Sequence, residues 1–327
     1  MAEGIWVKDK AGQDIFLPYS EIEPELLPQL VKPIGGFCYQ ADDFKHIPMV
    51  RAPFYIKDWL PKQGKALVYG GAKIGKSQLA IQMGRCIGAG LPFLGMPTTQ
   101  GRVLYLQFEL GTEVLQSRMK QSGKEYANVF VGTTFNMKLD TPQGQEVLLN
   151  ALREIEPNVL ILDPLYKIIS GDENEATDVK RITDFVDSII DAYRHTALSV
   201  LIIHHAGKDS SRGGRGSSLL EGYPDSVIEI KKMSSVGMPL RVAVLPKLLR
   251  HSELPPTPIE AEMKDYEFTA KPPIPTVQKR ITDMLPAPFG KIVEAGFASR
   301  ATISKYLAQM VEEGQISQDS DGTYCLT

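Results

Sequence analysis

Cysteine is scarce in this sequence: Cys38, Cys86 and Cys325 are the only three in 327 residues. They are far apart and lack CxxC or metal-ligand spacing, which excludes a disulfide scaffold and reads as reduced thiols in a cytoplasmic protein. No apolar run reaches the roughly 20 residues needed to span a bilayer. The N-terminal MAEGIWVKDKAGQD also lacks an apolar signal-type stretch. A soluble, cytoplasmic protein with no membrane partner is therefore expected. A strong charge of one sign is missing too. The formal net charge of −3 excludes a uniformly basic coat, so any nucleic-acid contact must come from a local patch. There is no internal repeat. Apolar residues make up 43%, enough for a real core, and the length suits one large domain with smaller appendages.

Three zones are expected from the patterning. Residues 1–53 form an N-terminal arm or cap, Pro-rich and weakly periodic, with scattered aromatics such as Trp6, Phe16, Phe37 and Phe44. Residues 54–270 alternate short apolar runs with amphipathic stretches, the pattern of an α/β domain with a mostly parallel sheet. The strand candidates are Ala66–Tyr69, Val103–Phe108, Val129–Val131, Val159–Leu162, Val200–Ile203 and Val227–Ile230. Continuous apolar runs of this kind suit strands covered on both faces. Helical spacing is clearest over Gln78–Ile87 and Val179–Tyr193, and a hairpin turning at Val236-Gly237-Met238 leads into a strand at Arg241–Leu245. Pro-rich runs after Glu253 and Lys271 mark irregular edges and a linker, and residues 271–327 form a separate small unit.

The strongest chemical signal is Gly70-Gly71-Ala72-Lys73-Ile74-Gly75-Lys76-Ser77, followed by Gln78. It fits GxxxxGK[ST] at every fixed position, with an apolar strand before it and an amphipathic helix after it. Glycines let successive backbone N–H groups point at a phosphate, and the helix N-terminus adds partial positive charge. The segment is expected to bind ATP, with Lys76 on the β- and γ-phosphates and the Ser77 hydroxyl on Mg²⁺. Asp163 closes the run Val159-Leu-Ile-Leu-Asp163, where a carboxylate at the end of a parallel strand overlooks the ligand crevice. It is the candidate second group for Mg²⁺. Glu109 ends the strand from Val103 and is the candidate base for the attacking water. The strand Leu198–Ile203 runs into His204-His205, either of which can sense the γ-phosphate. No third ligand lies at zinc spacing.

In order along the chain, the P-loop, Glu109, Asp163 and the His pair resemble the RecA-like hexameric P-loop ATPases, especially the RepA-type branch of replicative helicases. The resemblance covers about Phe54 to Phe268. It is carried by Trp59-Leu-Pro, Gly70–Ser77, Gly101-Arg-Val-Leu-Tyr-Leu-Gln-Phe-Glu109, Leu160-Ile-Leu-Asp-Pro-Leu165, Ile203-His-His-Ala-Gly-Lys208, Arg215-Gly-Ser-Ser218 and Leu245-Pro-Lys-Leu-Leu-Arg250. It implies an ATP-dependent DNA motor assembled as a ring, with ATP between neighbouring subunits. A late basic residue from one subunit then reaches the phosphate held by the next. Lys247 and Arg250 match that segment, but two residues separate them where the family has one. Arg250 is the favoured finger. The resemblance also places the loop after the His pair, with Lys208, Arg212 and Arg215, in a central channel against single-stranded nucleic acid. Its glycines permit close approach and its cations neutralise phosphates. Two other readings use the same parts: an ATP-regulated DNA loader without unwinding activity, and a recombinase-like filament former.

The final unit resembles a winged helix-turn-helix. Ser299 suits an N-cap for a helix over Arg300–Glu313, with Ile303, Leu307, Met310 and Val311 on its apolar face and Gly314 as its stop. Asp319-Ser-Asp-Gly322 separates two short strands as a wing turn. Arg300, Thr302 and Lys305 near the helix start are candidate duplex contacts. Residues 276–327 carry five Lys/Arg against six Asp/Glu, so docking to another protein stands beside DNA binding as the use of this unit.

Overall fold

The computed structural model describes residues 4–8, 12–23, 26–31, 34–35, 38–47, 54–134, 136–172, 175–205, 222–234, 238–252, 257–271, 277–296 and 298–326. The N-terminal residues hold more order than their weak periodicity suggests. Strands β1 (Gly4–Lys8) and β2 (Asp14–Pro18) form an antiparallel hairpin, followed by short helices α1 (Leu27–Leu30) and α2 (Ala41–His46). Ile5, Leu27 and Val31 make a small core of their own, while Trp6 and Phe16 stay exposed. Each element is only four to six residues long, too short to establish a period.

Next come the ribbon β3 (Phe54–Ile56) and β4 (Leu60–Pro61), then β5 (Lys65–Gly70), α3 (Lys76–Ala89), β6 (Val103–Gln107), α4 (Thr112–Ser122) and β7 (Val129–Thr133). They lead to α5 (Pro142–Ile155), β8 (Val159–Asp163), α6 (Leu165–Ile168), α7 (Ala176–Ala192) and β9 (Ser199–His205). Four further strands follow: β10 (Ser226–Lys232), β11 (Arg241–Leu249), β12 (Ile259–Lys264) and β13 (Glu267–Lys271). Nine strands make one sheet in the order β13-β12-β11-β10-β5-β9-β8-β6-β7. From β10 to β7 every pairing is parallel, and β11, β12 and β13 extend it antiparallel. The expected strands are all present. Val236 and Gly237 of the expected hairpin turn lie outside the described residues; the strand expected after it runs on to Leu249, and β12 and β13 add to the expected set.

Period-two alternation divides the apolar side chains between the two faces of this sheet. Val103, Tyr105, Ile161, Leu201 and Ile203 pack with α3 on one face. Leu104, Leu106, Leu160, Leu162, Val200 and Ile202 pack with α5 and α7 on the other. Helix α5 starts at Thr141, whose side chain accepts the Gly144 N–H at 3.2 Å, with Pro142 at its first turn, where a missing N–H costs nothing. It presents Leu148 and Leu152 to the sheet. Among the described residues no helix is long and apolar enough to cross a membrane.

The C-terminal residues form α8 (Val277–Thr282), β14 (Ala287–Pro288), α9 (Phe289–Glu294), α10 (Arg300–Glu312), β15 (Ile316–Gln318) and β16 (Thr323–Leu326). The strands pair as β14-β16-β15 and cover a separate core of Ile281, Ile292, Ile303, Leu307 and Met310. Ser299 caps α10 by accepting the Thr302 N–H at 3.2 Å. Val311, expected on the apolar face, is exposed instead, because it lies one residue beyond Met310 and off the stripe.

Candidate active site

The strand β5 delivers the chain to Gly70 at its carboxyl end, and helix α3 takes over at Lys76. The turn between them needs glycine for identifiable reasons. Gly75 has φ +84, and a Cβ there would stand 2.7 Å from Phe268 Cζ. A Cβ on Gly70 would meet the Ile230 carbonyl oxygen at 2.5 Å. The Lys76 ammonium is buried inside this turn, donating to the carbonyls of Gly70 at 2.9 Å and Gly71 at 2.6 Å. Burial pulls its pKa down to about 8, opposed by the charges of Asp163 and Glu109. A cleft of about 530 Å³ opens over the turn, lined by Ala72 to Gln78 together with Glu109, Leu110, Arg118, His205, Leu240, Met263 and Tyr266.

Asp163 is fully buried at the end of β8 beside the mouth of the turn. Its Oδ2 accepts from the Tyr105 hydroxyl at 2.7 Å and from Gln107 Nε2 at 3.1 Å, and the Ser77 hydroxyl also bonds to this carboxylate. Burial pushes the Asp163 carboxyl up, while the Tyr105 and Ser77 bonds and the Lys76 charge hold it down. A single hydroxyl and a single carboxylate side by side next to a phosphate cradle suit Mg²⁺, which takes one or two protein groups and completes its shell with phosphate and water. Ser77 and Asp163 are therefore the pair able to hold it.

Glu109 stands exposed just beyond β6, with Oε2 3.8 Å from His205 Nε2. His205 Nδ1 lies 3.2 Å from Lys76 Nζ, so one imidazole touches both the buried cation and the candidate base. The choice left open between the two histidines is thereby narrowed. His204 is completely buried and does not line the cleft, since successive side chains on β9 point to opposite faces.

Lys247 and Arg250 do not join this group. Lys247 pairs with the buried Glu229 at 3.0 Å. Arg250 donates through its guanidinium to the Gly222 carbonyl, and its backbone N–H bonds Asp225. Because β11 runs antiparallel to β10, Arg250 lies at the end of the sheet opposite the cleft. Lys208, Arg212 and Arg215 lie outside the described residues. In the C-terminal unit Arg300 and Lys305 are exposed, with Arg300 lying 5.3 Å over the Phe289 ring. The Thr302 hydroxyl is engaged with Ser299 at 2.8 Å, so this side chain belongs to the helix cap.

Gln78, expected beside the nucleotide, turns its amide to the Tyr266 carbonyl, and Gln82 one turn on clasps both the N–H and the carbonyl of Phe268 at 2.8 Å each. These bonds, with an Arg85–Glu267 ion pair at 2.6 Å, fasten α3 to β13. They bring Leu240, Met263 and Tyr266 over the cleft as an apolar wall. No local pattern announces that wall, which exists only once β12 and β13 have closed the sheet. Arg118, nine residues after Glu109 on α4, also lines the cleft and is not among the residues expected there.

A P-loop at the carboxyl end of a mostly parallel sheet, with a strand-end carboxylate beside it, defines a RecA-like P-loop ATPase core. The family described as "AAA domain" matches residues 38–211, just over half of the chain, and the chain belongs to that family. The match contains the cleft residues from Gly70 to His205 and stops short of Lys247 and Arg250. The chain is also similar in fold to a KaiC-like protein from the hyperthermophilic archaeon Pyrococcus horikoshii OT3, with a TM-score of 0.51 at 16% identity, covering 69% of this chain and 99% of that one. No curated protein matches the sequence.

Proposed function

We propose that the protein is an ATP-dependent DNA motor, a helicase or translocase working as a ring, most simply a hexamer. One observation carries this reading. His205, which touches Lys76 and faces Glu109, is the last residue of β9 and runs directly into the Gly-rich segment with Lys208, Arg212 and Arg215. A change at the γ-phosphate therefore has a one-residue path to the segment best suited to grip a nucleic-acid backbone.

In this reading the phosphates of ATP displace the Gly70 and Gly71 carbonyls from Lys76. The backbone N–H groups from Ala72 to Ser77 surround them, and the apolar wall of Leu240, Met263 and Tyr266 covers the base. Ser77 and Asp163 hold Mg²⁺, which neutralises charge on the phosphates when bound. Glu109 accepts the proton of the attacking water, and His205 reports the state of the γ-phosphate. Arg118 supplies a cation from within the same subunit. Arg250 lies too far from its own cleft to act there, and in this reading it reaches a neighbour's, with the ATP between subunits. The C-terminal unit is a winged helix whose exposed Arg300 and Lys305 contact duplex DNA.

The deciding measurement is ATP hydrolysis with and without single-stranded DNA, for the wild type and Glu109→Gln. Stimulation by DNA and a fall in kcat of about 10²–10⁴-fold in the variant are expected. Turnover indifferent to any nucleic acid would remove the motor reading. A wild-type rate in Glu109→Gln would remove Glu109 from the chemistry.

A further inference from the structure

Gln107 is wholly buried at the end of β6, and the sheet register sets it directly beside Asp163 on β8. Both ends of its amide are in use. Nε2 donates to Asp163 Oδ2 and to the Tyr105 hydroxyl, each at 3.1 Å. Oε1 accepts the backbone N–H of Glu109 at 2.7 Å and of Leu110 at 3.2 Å. This fixes the orientation of the amide, because a flip would set its NH₂ against two N–H donors and its oxygen against a carboxylate. Few side chains meet both demands at this place. A carboxylate would repel Asp163, and an aliphatic chain would leave two part-buried backbone donors without this acceptor.

The Glu109 carboxylate itself is held loosely. It is exposed, and its contact across the cleft is His205 at 3.8 Å. Its location is therefore inherited from the backbone at 109–110, and that backbone is tied by Gln107 to the carboxylate on the neighbouring strand. We infer that Gln107 is a positioning residue for hydrolysis: it sets Glu109 at a fixed place relative to Asp163 and Lys76. This rests on the reading of Glu109 as the base. A misplacement of about 1 Å at such a group costs on the order of 10²-fold in rate.

The test uses the full chain carrying Gln107→Leu, with Gln107→Met as a second variant of similar length and volume. For each, ATP turnover, affinity for a non-hydrolysable ATP analogue and melting temperature are measured. We expect kcat to fall about 100-fold while affinity for the analogue stays within about threefold. The double variant with Glu109→Gln is expected to be no slower than Glu109→Gln alone, because both act through the same carboxylate.

Near-wild-type turnover in the Gln107 variants, alongside a slow Glu109→Gln, overturns the positioning role and leaves the base reading standing. A wild-type rate in Glu109→Gln removes the base and the positioning role together. Losses that multiply in the double variant overturn the inference, since Gln107 would then act through Asp163 and not Glu109. Failure of both Gln107 variants to bind the analogue overturns it as well, by assigning the residue to the integrity of the nucleotide site.

Discussion

Replacing Arg250 by alanine is expected to stop turnover in a pure preparation and to leave a defect that a differently damaged subunit repairs. The reason is distance. Arg250 bonds to Asp225, which in turn bonds to Lys65 at the start of β5, whereas the P-loop begins at Gly70. Five residues of strand at about 3.3 Å each put about 16 Å between those levels, more than an arginine side chain spans. Arg250 therefore cannot serve its own cleft. If it serves a neighbour's, its loss should lower kcat by about 10³–10⁵-fold, or about 4–7 kcal/mol of transition-state stabilisation. A Lys76→Ala subunit has the opposite fault, an intact Arg250 and a ruined phosphate cradle. In a ring of repeated head-to-tail contacts, random mixing of the two in equal amounts joins a sound cradle to a sound Arg250 at about a quarter of the interfaces. Phosphate release across a mixing series should thus rise from near zero at both ends to a maximum at equal proportions. No recovery at any ratio, or a wild-type rate in Arg250→Ala alone, refutes the shared site.

Two other outcomes follow from the cleft. Lys76 has its pKa lowered to about 8 in the free protein by burial, and bound phosphate raises it again by adding negative charge. Binding above that pH takes up a proton, so nucleotide affinity should weaken as pH rises, by up to about tenfold per unit. A flat titration with a fluorescent ATP analogue across that range would contradict it. Gly75→Ala should lower the melting temperature, because alanine in the left-handed region costs about 1–2 kcal/mol and its Cβ meets Phe268 at 2.7 Å. Combining it with Phe268→Leu should cost less than the two separate losses added together. Full additivity would show that the ring contact carries no energy.

The parts of the molecule readable from sequence were those built from backbone rules. Gly70–Ser77, Asp163 and Glu109 sit where strands end, and the continuous apolar runs before them mark those ends directly. The His pair was legible only as a pair, because choosing His205 required knowing which face of β9 meets the cleft. Strands β12 and β13 hid behind Pro-rich neighbours and alternating charges. β12 does alternate, with Ile259, Ala261 and Met263 between charged residues, but only Ala261 is deeply buried and the run is six residues long, while β13 deeply buries Phe268 alone. Helix α4 is similar, with Leu115 as its one buried apolar side chain. Helix α5 carries signals of its own in the sequence, Thr141 before Pro142 and an apolar stripe through Leu148 and Leu152. The polar links of Gln107 and of Gln82 were beyond reach, since each joins residues brought together only by tertiary folding.

The clasp between Gln82 and Phe268 also bears on how the protein avoids sticking to itself. A terminal strand leaves a row of unsatisfied N–H and carbonyl groups, an open template for any extended chain that passes. At Phe268 both of those groups are taken by one glutamine side chain, much as a further strand would take them. The helix that begins at the phosphate cradle thus doubles as a seal on this border of the sheet. Loosening it, for instance with Gln82→Ala, would reopen a docking place for unwanted strands.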